Sequence, residues 1–136
     1  MQPTTYIIHK MVKGEDLNHH GTLYAGRSAE WFVEAGFIAA ASLTDPKNIV
    51  CLKIHSMTFT RPVKPGSIVR YEGTIVLTGR TRLVAFVQAF YQDEPALSGF
   101  LTFVHVDADG RAVPHGVEVT PVTERERALH EQAGQL

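Results

Sequence analysis

The sequence predicts an α+β fold in which a strongly curved antiparallel β-sheet is wrapped around one long central α-helix. Within Arg27–Leu43, apolar residues recur at spacings of three and four, which is typical of a helix. Nearly every segment after Pro46 instead reads as β-strand until the charged tail. A helix that is apolar nearly all round must be covered, and a sheet is the only surface available to cover it.

Length and composition limit the function classes. The 136 residues allow one domain, 1–136, and a chain of this size buries roughly 68–70% of its unfolded surface. A formal net charge of −1 gives no broad field for nucleic acid, so an anionic ligand must be held locally. Cys51 is the only cysteine, which excludes an internal disulfide and leads us to expect a reducing, cytoplasmic location. We expect neither a signal peptide nor a membrane span.

The first half of the chain contains one strand, one loop and the helix. Thr5–Val12 is rich enough in apolar residues for a first strand, and Leu17–Gly26 is a loop with two glycines. The helix is predicted to start near Gly26–Ser28. It should end near Leu43 or Thr44, because a proline disfavours helical backbone in the residue before it.

The second half is predicted to hold four strands in meander order, because the connections between them are short. These strands are Ile49–Thr60, Ile68–Leu77, Leu83–Tyr91 and Leu97–Val106. Gln92–Pro95 should break the third strand from the fourth, and Thr120–Glu131 should form a peripheral terminal helix or tail. The sheet leaves two edges and an outer face with Phe86 and Phe90, which favours pairing with a second copy.

Two glutamates of the predicted helix are candidate catalytic groups. Glu30 and Glu34 are four residues apart and share one helix face, and Arg27 lies three residues before Glu30. One interpretation is a solvated stripe with an Arg–Glu ion pair. The other is a carboxylate in a cleft that takes a proton from water, for which Glu34 is the first choice and Glu30 the second. Phe37, Ile38 and Ala41 would give Glu34 an apolar surrounding.

The loop before the helix supplies further candidates. Asn18 either satisfies backbone groups of the loop or positions a reactant. The unpaired N–H groups of Gly26–Ser28 either start a plain helix or stabilise a developing oxyanion. His19 and His20 are adjacent, and the other histidines show no metal-ligand spacing, so no metal site is predicted. A histidine of this loop, His19, is a candidate substrate contact.

Several cationic residues and the single cysteine are further candidates. Gly79, Arg80 and Thr81, with Arg61 and Lys64, are candidates for binding pantetheine or phosphate, although surface cations are mostly only solvated. Cys51 falls in a predicted strand without a neighbouring base. We therefore expect a buried small residue rather than a nucleophile.

Three segments taken together resemble the hotdog-fold acyl-CoA thioesterases. The first is the loop and helix NHHGTLYAGRSAEWFVEAGFIAA, the second is MTFTRPVKPGSIVR, and the third is TGRT followed later by LTFVHVDADGRAVP. They run in order from Asn18 to Pro114 and cover most of the chain. The resemblance implies a hotdog fold, with thioester hydrolysis between the protomers of a dimer or of a dimer-based tetramer or hexamer.

The resemblance also implies roles for particular residues. Asn18 falls where the family has a loop amide, whereas the helix carboxylate of the family falls on Val33, with Glu34 next to it. Coenzyme A would be part of the substrate, with no other cofactor, no nucleic acid and no membrane partner. Substrate contacts are expected from His19, Arg27, Arg61, Lys64, Gly79, Arg80 and Thr81.

The predicted function is therefore hydrolysis of an acyl-CoA to a free acid and coenzyme A. A non-catalytic acyl-CoA or lipid binder on the same fold is the main alternative, because Val33 is not an acid. A hydratase or dehydratase is a third alternative, although the helix region has no histidine with a neighbouring acid.

Overall fold

The computed structural model describes all 136 residues and contains six strands and two α-helices. The elements are β1 (Thr5–Met11), α1 (Ala25–Ser42), β2 (Ile49–Ile54), β3 (Thr58–Phe59), β4 (Ile68–Thr78), β5 (Arg82–Tyr91), β6 (Glu94–His105) and α2 (Glu124–Gly134). Helix α1 starts one to three residues before the predicted start and ends one or two residues before the predicted end. No helix is both long and apolar enough to cross a membrane.

The strands form one antiparallel sheet in the order β1-β4-β5-β6-β2, with the two-residue strand β3 also paired to β6. The predicted meander order is therefore only partly right. Strands β4, β5 and β6 are consecutive neighbours because their connecting turns are short. Strand β2 instead crosses to the far side of β6, and the long connection from Ile54 to Ile68 carries the chain back to β4.

Helix α1 lies on the inner face of the sheet, mainly against β4 and β5. Its buried face is formed by Ser28, Trp31, Phe32, Ala35, Gly36, Ala39 and Ala40. The small residues of this face allow a close approach to the sheet. A Cβ atom on Gly73 of β4 would lie 2.5 Å from the carbonyl oxygen of Ala35, so glycine is required at that position.

The predicted strand Ile49–Thr60 is divided in the structure. The backbone between β2 and β3 leaves the ladder, because the N–H groups of His55 and Ser56 both turn to the carbonyl oxygen of Phe100. A Cβ atom on Gly99 would lie 1.9 Å from the Ser56 carbonyl oxygen. Glycine at this position of β6 therefore permits the bend.

The last strand begins earlier than predicted. Gln92 and Asp93 alone form the turn between β5 and β6, and both have positive φ angles, of 55° and 61°. That backbone conformation suits a two-residue hairpin, so Glu94 and Pro95 already belong to β6. The expected break at Gln92–Pro95 is reduced to two residues.

The outer face of the sheet is partly covered by α2, as expected for a peripheral terminal helix. The helix starts later than predicted, at Glu124, because Thr123 and Glu126 form a reciprocal capping box. Ala133 of α2 packs in a small cluster with Val76, Val84 and Phe100.

Cys51 is exposed on β2, so the expectation of a buried cysteine is wrong. The reason is its place on an edge strand, where no further strand covers it. Partial burial still raises the pKa of the Cys51 thiol.

Candidate active site

An open cavity of about 340 Å³ lies between the start of α1 and the inner face of the sheet. Apolar side chains predominate in its lining, and its polar members come from the loop before α1, the segment after β3 and two facing elements. The lining residues are Asn18, Thr22, Leu23, Ala25, Ser28, Phe59, Thr60, Arg61, Pro62, Val63, Val69, Tyr71, Ala89, Ala96 and Leu97. Its size and lining suit a small apolar group held by a few polar contacts.

Asn18 borders this cavity and also fixes the loop. Its side-chain oxygen accepts hydrogen bonds from the backbone N–H groups of His20, at 2.9 Å, and Thr22, at 3.2 Å. Its amide nitrogen donates to the Thr22 hydroxyl at 3.1 Å. The loop-satisfying interpretation of Asn18 is therefore correct. A role toward a reactant stays a prediction, which the position of Asn18 at the cavity allows.

The first turn of α1 leaves two backbone donors free. The N–H groups of Arg27 and Ser28 both donate to the carbonyl oxygen of Tyr24, each at 3.0 Å. The N–H groups of Ala25 and Gly26 have no acceptor in the protein, as expected at a helix start. Of the predicted donors Gly26–Ser28, only Gly26 is available, and Ala25 adds one that was not predicted.

Two of the cavity-lining residues form a pair of hydroxyl groups that was not predicted from the sequence. Ser28 Oγ and the Tyr71 hydroxyl are 2.8 Å apart and connect α1 to β4. Ser28 is 5% exposed and Tyr71 is fully buried. Burial raises the pKa of Tyr71 to about 12, although its hydrogen bond to Ser28 acts in the opposite direction. The only sequence signal that could have identified this pair is that both residues occupy inward-facing positions.

The two helix glutamates lie on the solvent side of α1. Glu34 Oε1 is 3.6 Å from Lys10 Nζ of β1, and the side chain of Glu34 is 47% exposed. Glu30 Oε2 is 3.2 Å from Arg27 Nη1, as the spacing predicted, and its side chain is 64% exposed. Neither glutamate lines the cavity within this protomer. Their catalytic roles stay predictions.

Arg27 is held by a second carboxylate that the sequence did not reveal. Asp16 is only 3% exposed, and its Oδ1 lies 3.1 Å from Arg27 Nε. The other oxygen of Asp16 accepts the backbone N–H of Lys13 at 2.9 Å. The guanidinium therefore ties the loop to the helix start, and a contact from Arg27 to substrate stays a prediction.

The remaining predicted contacts do not lie together, and only Arg61 lines the cavity. Arg61 lines the cavity, donates to the carbonyl oxygen of Tyr91 at 2.6 Å and lies 5.0 Å from the centre of the Tyr91 ring. His19 is exposed and packs on His20, with ring centres 3.9 Å apart. Lys64 is exposed in the turn before β4.

The turn between β4 and β5 contains the predicted group Gly79, Arg80 and Thr81. Its backbone is fixed, since the N–H of Gly79 donates to the carbonyl oxygen of Arg82. Arg80 is exposed and has no carboxylate within 4.0 Å. No group of three or more His, Cys, Asp or Glu side chains is placed to hold a metal ion.

Comparison with known proteins identifies the family. The model of the thioesterase superfamily matches residues 20–97, which is more than half of the chain. The chain belongs to this superfamily. The matching segment covers α1 and most of the sheet, and the hotdog fold expected from the sequence is confirmed.

Relatives extend the similarity over most of the chain. An uncharacterised acyl-CoA thioester hydrolase of Bacillus subtilis, YkhA, is 30% identical over 126 residues, covering 88% of this chain and 72% of YkhA. An acyl-CoA hydrolase of Staphylococcus aureus, solved with butyryl-coenzyme A, has a TM-score of 0.85 at 26% identity, covering 96% and 80% of the two chains. An apo-hexameric acyl-CoA thioesterase has a TM-score of 0.88 at 28% identity, covering 96% and 86%.

The S. aureus hydrolase has also been solved with an asparagine and, separately, an aspartate replaced by alanine. Those two residues are 15 positions apart in that protein. Asn18 and Val33 are also 15 positions apart in this chain. Val33 is half-buried and packs against the core, and it has no carboxylate to offer.

Proposed function

We propose that this protein hydrolyses acyl-CoA thioesters to a free acid and coenzyme A, and that the acyl group enters the cavity between α1 and the sheet. The observation that carries the proposal is a largely apolar cavity bordered by Asn18 and by the start of α1. It occurs in a chain whose relatives include acyl-CoA hydrolases. A cavity of about 340 Å³ is within the usual range for small-molecule sites.

The complete site requires two protomers. Asn18 precedes α1, whereas Glu34 is nine residues beyond the helix start at Ala25, or about 14 Å along the axis at 1.5 Å per residue. Asn18 lines the cavity and Glu34 of the same protomer does not. We therefore assign the carboxylate at each cavity to Glu34 of the partner subunit, with Glu30 as the second choice.

The exposed edge at β2 is the surface through which the second copy binds. The side chains of Val50, Leu52 and Ile54 are 46%, 56% and 44% exposed, and Phe59 of β3 is 44% exposed. An edge strand with one unpaired side and so much exposed apolar surface favours pairing with another strand. Because α1 contacts β2, pairing two such edges places both α1 helices on one side of a continuous sheet. A hexameric relative is consistent with dimers that assemble further.

The chemistry follows from these groups. The free N–H groups of Ala25 and Gly26 would bind the carbonyl oxygen of the thioester, where negative charge develops. Glu34 would take a proton from water as the water oxygen attacks the carbonyl carbon. The carbon–sulfur bond then breaks, and the sulfur of coenzyme A leaves with the proton. Asn18 would position the water or the thioester.

Coenzyme A carries phosphates, and two predicted cations are free to meet them. Lys64 and Arg80 are exposed, and neither has a carboxylate within 4.0 Å. Arg61 is less free, because Glu94 lies 3.4 Å from its guanidinium. We therefore favour Lys64 over Arg61 for the phosphates within one protomer. Lys64 is also favoured over Arg80, because Arg80 lies at the opposite end of β4 from the cavity-lining Val69 and Tyr71.

Thiol release from a panel of acyl-CoAs tests the proposal. Glu34→Gln should lower kcat by about 10²- to 10⁴-fold, the usual contribution of a general base. Glu15→Gln is the matched control, because Glu15 is also exposed and paired with a lysine, Lys13, but belongs to the segment before α1 and not to the helix. If kcat falls in Glu30→Gln but not in Glu34→Gln, Glu30 is the general base. Unchanged turnover in both helix variants would refute the carboxylate assignment.

A non-catalytic acyl-CoA binder is the second candidate, and the apolar Val33 is the observation that favours it. In that case the wild-type protein would bind acyl-CoA saturably and release no thiol from any member of the panel. The same panel therefore separates the two functions.

A further inference from the structure

The hydroxyl pair of Ser28 and Tyr71 contains one O–H donor that has no acceptor in the protein. Two hydroxyls contribute two O–H donors, but the single contact between them, at 2.8 Å, uses only one. Neither oxygen has another hydrogen-bond partner in the protein. Whichever residue donates to the other, one O–H group of the pair remains without an acceptor.

Other hydroxyl groups of α1 and of the cavity lining donate to backbone carbonyl oxygens. Ser42, the second serine of α1, donates to the carbonyl oxygen of Ile38 one turn earlier, at 2.7 Å. Thr60, which also lines the cavity, donates to the carbonyl oxygen of Pro95 at 3.1 Å. Ser28 makes no such bond to its own helix, and its hydroxyl is turned to Tyr71 instead.

The pair also lies at the inner end of the cavity. Ser28 is 5% exposed and Tyr71 is fully buried, whereas Phe59 and Thr60 of the same lining are exposed. Once a bound acyl chain displaces water from the cavity, a donor left there without an acceptor is unfavourable. An oxygen atom of a bound molecule would accept this hydrogen bond.

We propose that the Ser28–Tyr71 pair selects acyl groups that carry an uncharged oxygen, a hydroxyl or keto group, on the part of the chain remote from the thioester. The inference rests on the proposed function, since it places the acyl chain in this cavity. The oxygen is uncharged because the inner end offers a hydroxyl and no cation, and an ion buried there would lose its hydration. A plain hydrocarbon chain leaves the spare donor unsatisfied.

Matched pairs of substrates test this selectivity. For each of several chain lengths, kcat/KM is measured for the plain acyl-CoA and for the acyl-CoA with a hydroxyl or keto group near the distal end. The wild-type protein should favour the oxygenated member by about tenfold or more at the best-fitting length, as expected for satisfying a buried donor. The double variant Ser28→Ala/Tyr71→Phe removes both hydroxyls and should bring the ratio close to one, whereas either single variant still leaves one O–H group without an acceptor.

Tyr6→Phe is the control, because Tyr6 packs against the same core but does not line the cavity. It should keep the wild-type ratio. A merely structural role of the pair would lower kcat/KM for both members of each substrate pair and leave their ratio unchanged. A wild-type ratio near one at every length would overturn the inference while leaving hydrolysis intact.

Binding of substrate analogues to the protein tests the inference independently of hydrolysis. Trp31 is the only tryptophan, and its ring lies edge-on to the Tyr71 ring with centres 6.1 Å apart. Its fluorescence therefore reports the binding of non-hydrolysable thioether analogues of the same substrate pairs. Tighter binding of the oxygenated analogue, lost in the double variant Ser28→Ala/Tyr71→Phe, would support the inference even if no thiol is released. Equal binding of both analogues would refute it.

Discussion

Replacing Ile54 by lysine should break the proposed dimer. Ile54 is 44% exposed and is paired with Leu101, which is fully buried, so its side chain lies on the inner side of the exposed β2 edge. Complete burial of an isoleucine side chain contributes roughly 1.5–3 kcal/mol. Burying the exposed part of Ile54 in the interface therefore stabilises the dimer by about 1 kcal/mol for each protomer. A two-fold interface doubles the loss, and the cost of a buried charge adds to it.

The free energy of dimerisation should therefore weaken by more than about 3 kcal/mol, which corresponds to at least a 100-fold rise in the dimer dissociation constant. Sedimentation equilibrium measures that constant directly. Ile7→Lys is the matched control, because Ile7 is 51% exposed on the opposite edge strand, β1. An Ile54→Lys protein that dimerises as tightly as the wild type, or an Ile7→Lys protein that dissociates to the same extent, would refute the β2 interface.

Two further predictions concern stability. Because the pKa of Tyr71 is raised to about 12, the folded state keeps a proton that the unfolded chain loses above about pH 10. The free energy of unfolding should therefore fall as the pH rises through this window, by up to about 3 kcal/mol, and chemical denaturation of Tyr71→Phe should show a correspondingly weaker decline. Gly99→Ala should destabilise the fold by about 3 kcal/mol, since its Cβ would meet the Ser56 carbonyl oxygen at 1.9 Å. Gly14→Ala, where a Cβ meets nothing within 4 Å, is the control, and equal melting temperatures for the two alanine variants would contradict this explanation of the bend.

Local patterns predicted the elements of this fold well. Helix α1 was placed to within about three residues, because the spacing of its apolar residues and Pro46 both act over a few positions. The position of β2 beside β6 was missed, because strand order depends on pairing between distant segments. The bend at Ser56 was missed for the same reason, since it depends on Gly99, 43 positions later.

Apart from Arg61, the predicted residues that border the cavity come from one segment of the chain. The loop containing Asn18 and the start of α1 lie together in the sequence, and both border the cavity. Ser28 and Tyr71 are 43 residues apart, so no local pattern joined their hydroxyls. The carboxylate of Asp16 was likewise missed, because its burial against Arg27 depends on how the loop folds back on the helix.

A mixing experiment tests most directly whether the site is shared between protomers. Asn18→Ala and Glu34→Gln should each be inactive in thiol release. If each site combines Asn18 of one protomer with Glu34 of its partner, a mixed dimer of the two variants contains one intact site. Random exchange of subunits at equal concentrations should then restore roughly a quarter of the wild-type activity. Failure to restore activity, with subunit exchange confirmed by mass spectrometry, would contradict the shared site.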